Sequence, residues 1–167
     1  IKITMMPYLM KASVFVLKKH PVFNSSLQNS GENIVYKKYY HIGVAVNTEN
    51  GLVVPVIKDV DKKSVLEISQ ELMDVSERAR NKKLTPNELK GGTFTISNLG
   101  GIGGSFFTPI INPPEVAILG VSRTKEKNKK LILPLSLSYD HRVIDGAAGA
   151  AFVVAFSNVL KDMRKFK

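Results

Sequence analysis

The sequence predicts an α+β fold: a sandwich of a mixed β-sheet with helices, and not a doubly wound sheet. Three observations lead there. Helical and strand-like segments are intermingled without strict alternation. The segment 64–82 carries an apolar 3–4 period that only a half-exposed helix explains. The chain has 167 residues, 44% of them hydrophobic, enough to bury one sizeable core and too few for two full domains.

The first helix is expected over 4–19. Met6, Leu9, Met10, Phe15, Val16 and Leu17 approximate the helical spacing. Thr4 is the candidate N-cap, Pro7 falls in the first turn, Lys18, Lys19 and His20 suit the C-terminal end, and Pro21 stops it. Its wide apolar coverage predicts burial. Segments 34–40 and 42–46, rich in Val, Tyr and Ile, read as strands. A turn at 47–51 leads into a returning strand over 52–57, in which Pro55 marks an edge or a bulge.

Ser64-Val65-Leu66-Glu67 has the spacing of a capping box, and Val65, Ile68, Leu72, Val75 and Ala79 form the apolar stripe behind it. Thr85-Pro86-Asn87-Glu88 repeats the capping pattern and opens a short helical turn. Strands are expected over 93–97, 115–122 and 131–139, with a polar turn at 124–130. The last helix is expected over 146–164, with Ala148, Phe152, Ala155, Val159 and Met163 on one face.

Composition narrows function. There is no Cys, so a thiolate zinc site, a disulfide framework and a cysteine nucleophile are excluded. Any thiol chemistry must arrive on a substrate. No apolar run is long enough to span a membrane, and 1–4 shows no secretory signal pattern. The chain opens without Met in apolar-rich sequence, which suggests a piece of a longer protein. The formal charge is +10. Its lysines are scattered and do not interleave with aromatics, so a solvated surface is a better reading than nucleic-acid binding.

Candidate sites are few. Gly100-Gly101-Ile102-Gly103-Gly104 lacks the sixth-position glycine of a dinucleotide loop and the Lys of a phosphate loop, which leaves a tight turn or a close approach of another chain or ligand. Three isolated histidines do not compose a metal site. His20 suits a helix end and His41 a structural role between strands. His141 differs, because it lies in a charged turn between a strand and a helix with Asp145 four residues on.

Ser136-Leu137-Ser138-Tyr139-Asp140-His141-Arg142-Val143-Ile144-Asp145-Gly146-Ala147 resembles the HxxxDG segment of dihydrolipoamide acyltransferases, the E2 catalytic cores of 2-oxo acid dehydrogenase complexes. Chloramphenicol acetyltransferase shares that motif. Further blocks resemble the E2 family in the family's order: Phe23-Asn24-Ser25-Ser26, Ile42-Gly43-Val44-Ala45-Val46 with Gly51-Leu52-Val53-Val54-Pro55-Val56, Phe94-Thr95-Ile96-Ser97-Asn98-Leu99-Gly100-Gly101, and Asn112-Pro113-Pro114-Glu115-Val116-Ala117-Ile118-Leu119-Gly120-Val121. The likeness runs nearly end to end, and its wording is most similar to the pyruvate branch.

The resemblance implies a chloramphenicol-acetyltransferase-like sandwich that moves an acetyl group between dihydrolipoamide and coenzyme A, without a metal. It implies His141 as general base, Ser97 as the hydroxyl donor to the oxyanion, and Asp145 as an organising residue that a helix cap would also explain. It implies a homotrimer with His and Ser contributed by neighbouring chains. Such trimers assemble into a 24-mer or 60-mer that binds E1 and E3 components, in the cytoplasm of a bacterium or the mitochondrial matrix of a eukaryote. Residues 1–167 then form the catalytic domain without its N-terminal part, which carries an Arg expected to pair with the motif's Asp. The lipoyl domain that bears the lipoamide, and the subunit-binding domain, are expected outside this chain. A catalytically silent scaffold and a chloramphenicol-type acetyltransferase are the alternatives. The joint presence of Ser97, His141 and Asp145 speaks against silence.

Overall fold

The computed structural model describes residues 3–166, the side chain of Lys165 excepted. Its strands are β1 (Ser25–Leu27), β2 (Ile34–Tyr36), β3 (Ile42–Val44), β4 (Val46–Thr48), β5 (Gly51–Val53), β6 (Val56–Ile57), β7 (Phe94–Asn98), β8 (Ala117–Val121), β9 (Lys125–Lys127), β10 (Lys130–Ile132) and β11 (Leu135–Tyr139). Its helices are α1 (Met6–Lys19), α2 (Val65–Arg80) and α3 (Gly146–Leu160).

Five strands form the central sheet in the order β11-β8-β7-β3-β6. β3, β7 and β8 run parallel, and the outer strands β6 and β11 are antiparallel to their neighbours. The mixed sheet with helices is the α+β arrangement expected. Side chains alternate across a strand, and one face carries Ile42, Val44, Phe94, Ile96, Ala117, Leu119 and Val121 into the core. The three helices meet that face. α1 packs against both α2 and α3, and its Leu9, Met10, Ala12, Val16 and Leu17 are fully buried. Phe152 of α3 stacks on Phe23 at a ring separation of 4.2 Å and tilts against Phe94 at 5.7 Å.

The alternate positions Thr95, Ser97, Ile118 and Gly120 lie on the opposite face. There the segment between β7 and β8 brings the Phe107 ring over Gly120, 3.0 Å from where a β-carbon would stand. Apart from Ile118, those four positions are glycine or hydroxyl-bearing residues.

The capping signals fold as read. The Ser64 hydroxyl accepts from the Glu67 N–H while the Glu67 carboxylate accepts from the Ser64 N–H. Thr85 and Glu88 do the same at a 3-10 turn, Pro86–Leu89. The hairpin through 47–51 forms between β4 and β5, and Pro55 separates β5 from β6, the sheet's edge strand.

Several expectations are corrected. α1 begins at Met6, with Met5 at the cap position; Thr4 instead accepts from the Met6 N–H at 3.4 Å. The strand expected over 34–40 is only three residues long and forms a ribbon with β1. The polar turn at 124–130 is a two-stranded ribbon, β9 with β10, closed by Asn128 and Lys129, both at positive φ. That ribbon takes Leu131 and Ile132, and Pro134 separates it from β11. The last helix stops at Leu160 and gives way to a 3-10 turn, Met163–Phe166, in which Met163 is exposed.

Candidate active site

His141 sits in the turn between β11 and α3 and is exposed. Asp140 builds that turn, and its carbonyl accepts from the Val143 and Ile144 N–H groups at 3.0 Å each. The Asp140 carboxylate accepts from the Arg142 backbone N–H at 3.0 Å and from its guanidinium at 2.7 Å. The guanidinium holds the Asp140 carboxyl below the usual carboxylate range. The Asp140 N–H in turn donates to the Val116 carbonyl at 2.8 Å, anchoring the turn to the start of β8. The His141 ring lies 5.6 Å from the ring of Tyr139, inclined by 50°. Tyr139 is a site-building residue that the motif itself did not single out. Its signal in the sequence is Gly149, whose missing side chain lets the ring approach α3.

Asp145 is the N-cap of α3, and its carboxylate accepts from the Ala148 N–H at 2.8 Å. This is the capping role that the sequence left open. Among the described residues Asp145 forms no ion pair, and Arg142 is paired with Asp140.

Ser97 stands near the end of β7 on the face turned away from the helices, and is 9% exposed. Among the described residues its hydroxyl has no hydrogen-bond partner. Such a hydroxyl keeps its proton free for a ligand.

The register fixes how these residues stand to one another. Ser97 pairs with Gly120, and Gly120 with Ser136. From Ser136, β11 runs three more residues to Tyr139 before the His141 turn begins. The turn is therefore two strand spacings, about 10 Å, across the sheet from Ser97 and at least about 10 Å along it. Within one chain Ser97 and His141 lie at opposite ends of the sheet, and the structure does not bring them together. It does bring His141 beside Tyr139 in the turn that Asp140 holds, with Asp145 at the start of the helix that follows.

The other candidates fold as ordinary structure. His41 accepts the Asp59 N–H at Nδ1, 3.0 Å away. His20 caps α1 and meets the rings of Phe23 and Phe152 edge-on. The loop through 100–104 is a turn with Gly103 and Gly104 at positive φ, and Arg123 donates to the carbonyls of Gly100 and Gly101 at 3.1 and 3.3 Å.

The chain's residues 1–166 match the family described as 2-oxoacid dehydrogenases acyltransferase (catalytic domain). The chain belongs to this family. It is 55% identical over 99% of its length to the dihydrolipoyllysine-residue acetyltransferase component of the pyruvate dehydrogenase complex of Cupriavidus necator, and it spans 31% of that relative's length. Among solved structures it resembles an Azotobacter vinelandii dihydrolipoamide acetyltransferase, with a TM-score of 0.96 and 52% identity over 99% of this chain and 72% of that one. That structure was examined for the catalytic role of a serine, a histidine and an asparagine four residues beyond the histidine. The cubic core of a pyruvate dehydrogenase multienzyme complex is similar at a TM-score of 0.95 and 51% identity, over 99% of this chain and 72% of that one. A chloramphenicol acetyltransferase, 14% identical with a TM-score of 0.67, shares the fold of this acyltransferase domain.

Proposed function

We propose that this acyltransferase domain moves an acetyl group between dihydrolipoamide and coenzyme A, in a site completed by two copies of the chain. The observation that carries the reading is the register. The exposed histidine of the turn after β11 and the unpartnered hydroxyl of Ser97 on β7 are at opposite ends of the same sheet. A second copy, presenting its Ser97 end to the His141 end of the first, supplies what one chain lacks. A repeating contact of that kind is head-to-tail, the type that forms a ring where the rotation between copies closes.

The chemistry follows from the groups. A thiol has a pKa of about 8.5 and is mostly protonated at neutral pH. His141, as a neutral imidazole, accepts the proton of the coenzyme A thiol. The thiolate attacks the acetyl carbonyl of acetyl-dihydrolipoamide. The oxygen that takes up the negative charge accepts a hydrogen bond from Ser97 of the neighbouring copy. Collapse breaks the bond to the dihydrolipoamide sulfur, which takes the proton back from His141. Asp145 fixes the start of α3 behind the turn and does not itself take the proton. An asparagine four residues after the histidine in the Azotobacter vinelandii relative suits that role, since Asn caps a helix as well as Asp does.

The loop between β7 and β8 supports assembly. Ile102, Phe106 and Ile110 are 71%, 72% and 88% exposed in the isolated chain, and clustered exposed apolar residues mark contact surfaces. We assign the assembled form to a trimer-based core of a pyruvate dehydrogenase complex in the bacterial cytoplasm, with E1 and E3 components as its partners. No described helix is long and apolar enough to cross a membrane. The test is acetyl transfer from acetyl-dihydrolipoamide to coenzyme A by the full-length protein. Turnover lost in His141→Ala supports the reading; turnover unaffected by that substitution ends it.

A further inference from the structure

Glu115 is an acid in an unexpected place. It precedes β8, is 6% exposed, and lies on the sheet face that also carries Ser97. Its carboxyl oxygen Oε2 is 2.6 Å from the hydroxyl of Thr95, which is itself fully buried. The space around the pair is shaped to it. A β-carbon on Gly92 would stand 2.6 Å from Glu115 Oε1, and one on Gly43, the ladder partner of Thr95, would stand 2.6 Å from the Thr95 hydroxyl. Among the described residues no cation pairs with Glu115, so the carboxyl gives up water for a single side-chain bond. A buried carboxyl with so little compensation costs stability, so packing alone does not account for an acid at this position.

Thr95 is two residues before Ser97 on the same strand, so both hydroxyls project from one face. At Ser97 that face is covered on the β8 side by the Phe107 ring over Gly120, and not by the β3 ladder. The β3 ladder with β7 ends at Val44 and Ile96, and the residue opposite Ser97 on β8 is Gly120. The backbone of the Glu115 segment also meets the His141 turn, through the bond from the Asp140 N–H to the Val116 carbonyl. We propose that Glu115 is a positioning residue for acyl transfer: through Thr95 it fixes the hydroxyl face of β7, so that Ser97 is held at the oxyanion with its proton uncommitted. The proposal rests on the acyltransfer reading and goes beyond it, because neither Glu115 nor Thr95 touches the reacting atoms.

The test uses the full-length, assembled protein with steady-state kinetics for both substrates. Glu115→Ala and Thr95→Val are expected to lower kcat by about 10–100-fold, the scale of a misplaced catalytic group, with both KM values within about twofold of the parent. Glu115→Gln, which keeps an oxygen and a donor in the same space, is expected to restore kcat to within about threefold. Thr95→Val removes one hydroxyl at nearly constant shape and carries the test if Glu115→Ala does not assemble. The proposal is overturned if assembled Thr95→Val keeps the parental kcat, if Gln is as damaging as Ala, or if both Glu115→Ala and Thr95→Val fail to assemble, which assigns the pair to folding alone. Retained turnover in His141→Ala would instead sink the acyltransfer reading, a distinct outcome.

Discussion

Tyr139 closes on Gly149: a β-carbon at Gly149 would lie 2.7 Å from Cε1 and 3.0 Å from Cζ of the ring. The ring that occupies this space is the one inclined against His141. Gly149→Ala therefore pushes the Tyr139 ring outward and moves the imidazole with it. Ala also favours the helix interior by up to about 1 kcal/mol. The expected outcome is a fall in kcat of about tenfold or more with thermal stability close to the parent's. A parental kcat in Gly149→Ala would show that the ring does not position the histidine.

Asp145 carries a measurable structural load apart from any role at the site. Removing an N-cap costs about 1 kcal/mol, and Asp and Asn cap comparably. Asp145→Ala should lower stability in denaturant titration by about that amount, while Asp145→Asn should leave it near the parental value. Equal losses in both variants would place the role of Asp145 in its charge and not in the cap at Ala148.

The capping residues show what a sequence states locally. Ser64 with Glu67 and Thr85 with Glu88 specify their own helix starts through contacts three residues apart, and both form as read. The edge position of β6 was equally legible in Pro55, which cannot donate to a ladder. Leu131 joins the β9–β10 ribbon and not β11, because apolar strand residues look alike on either side of Pro134 and only the partner strand decides which ribbon they join. Thr4 was a plausible cap, yet the helix starts two residues later, at Met6, with Pro7 in its first turn. At the site, His141 and Asp145 were visible as a motif. The distance of Ser97 from His141, the support from Tyr139 and the burial of Glu115 depend on sheet order, a long-range property that no window of sequence contains.

Glu115 makes stability depend on pH. Burial raises its pKa from the ordinary 4.5 to about 7, and the Thr95 hydrogen bond only partly opposes this. Its one side-chain hydrogen-bond partner among the described residues, Thr95, is uncharged, and no ion pair reaches it there. The folded state thus binds a proton that the unfolded chain has already released. The stabilisation is complete below about pH 4.5, declines as pH rises, and is gone above about 7, a change of order 3 kcal/mol. Glu115→Gln should lack that decline, so the difference between the parent and variant unfolding free energies should slope between pH 4.5 and 7 and flatten above. A constant difference across that range would contradict the burial of an ionisable carboxyl.

Ser97 and His141 should fail differently when removed singly. Loss of a general base costs about 10²–10⁴-fold, and loss of one oxyanion donor about 10²–10³-fold in kcat. His141→Ala is expected to show the larger loss in kcat, and Ser97→Ala the smaller one. A Ser97→Ala protein with parental kcat would remove the hydroxyl from the mechanism.

The most direct measurement is complementation between two inactive forms of the full-length protein. Ser97→Ala and His141→Ala chains are unfolded together, mixed in equal amounts, reassembled and assayed for acetyl transfer. If each site takes its imidazole from one copy and its hydroxyl from the next, random mixing restores about a quarter of the parental sites, and activity should rise well above that of either variant reassembled alone. Mixed assemblies no more active than the separate variants would mean that one chain supplies both groups, and the two-copy site would be wrong.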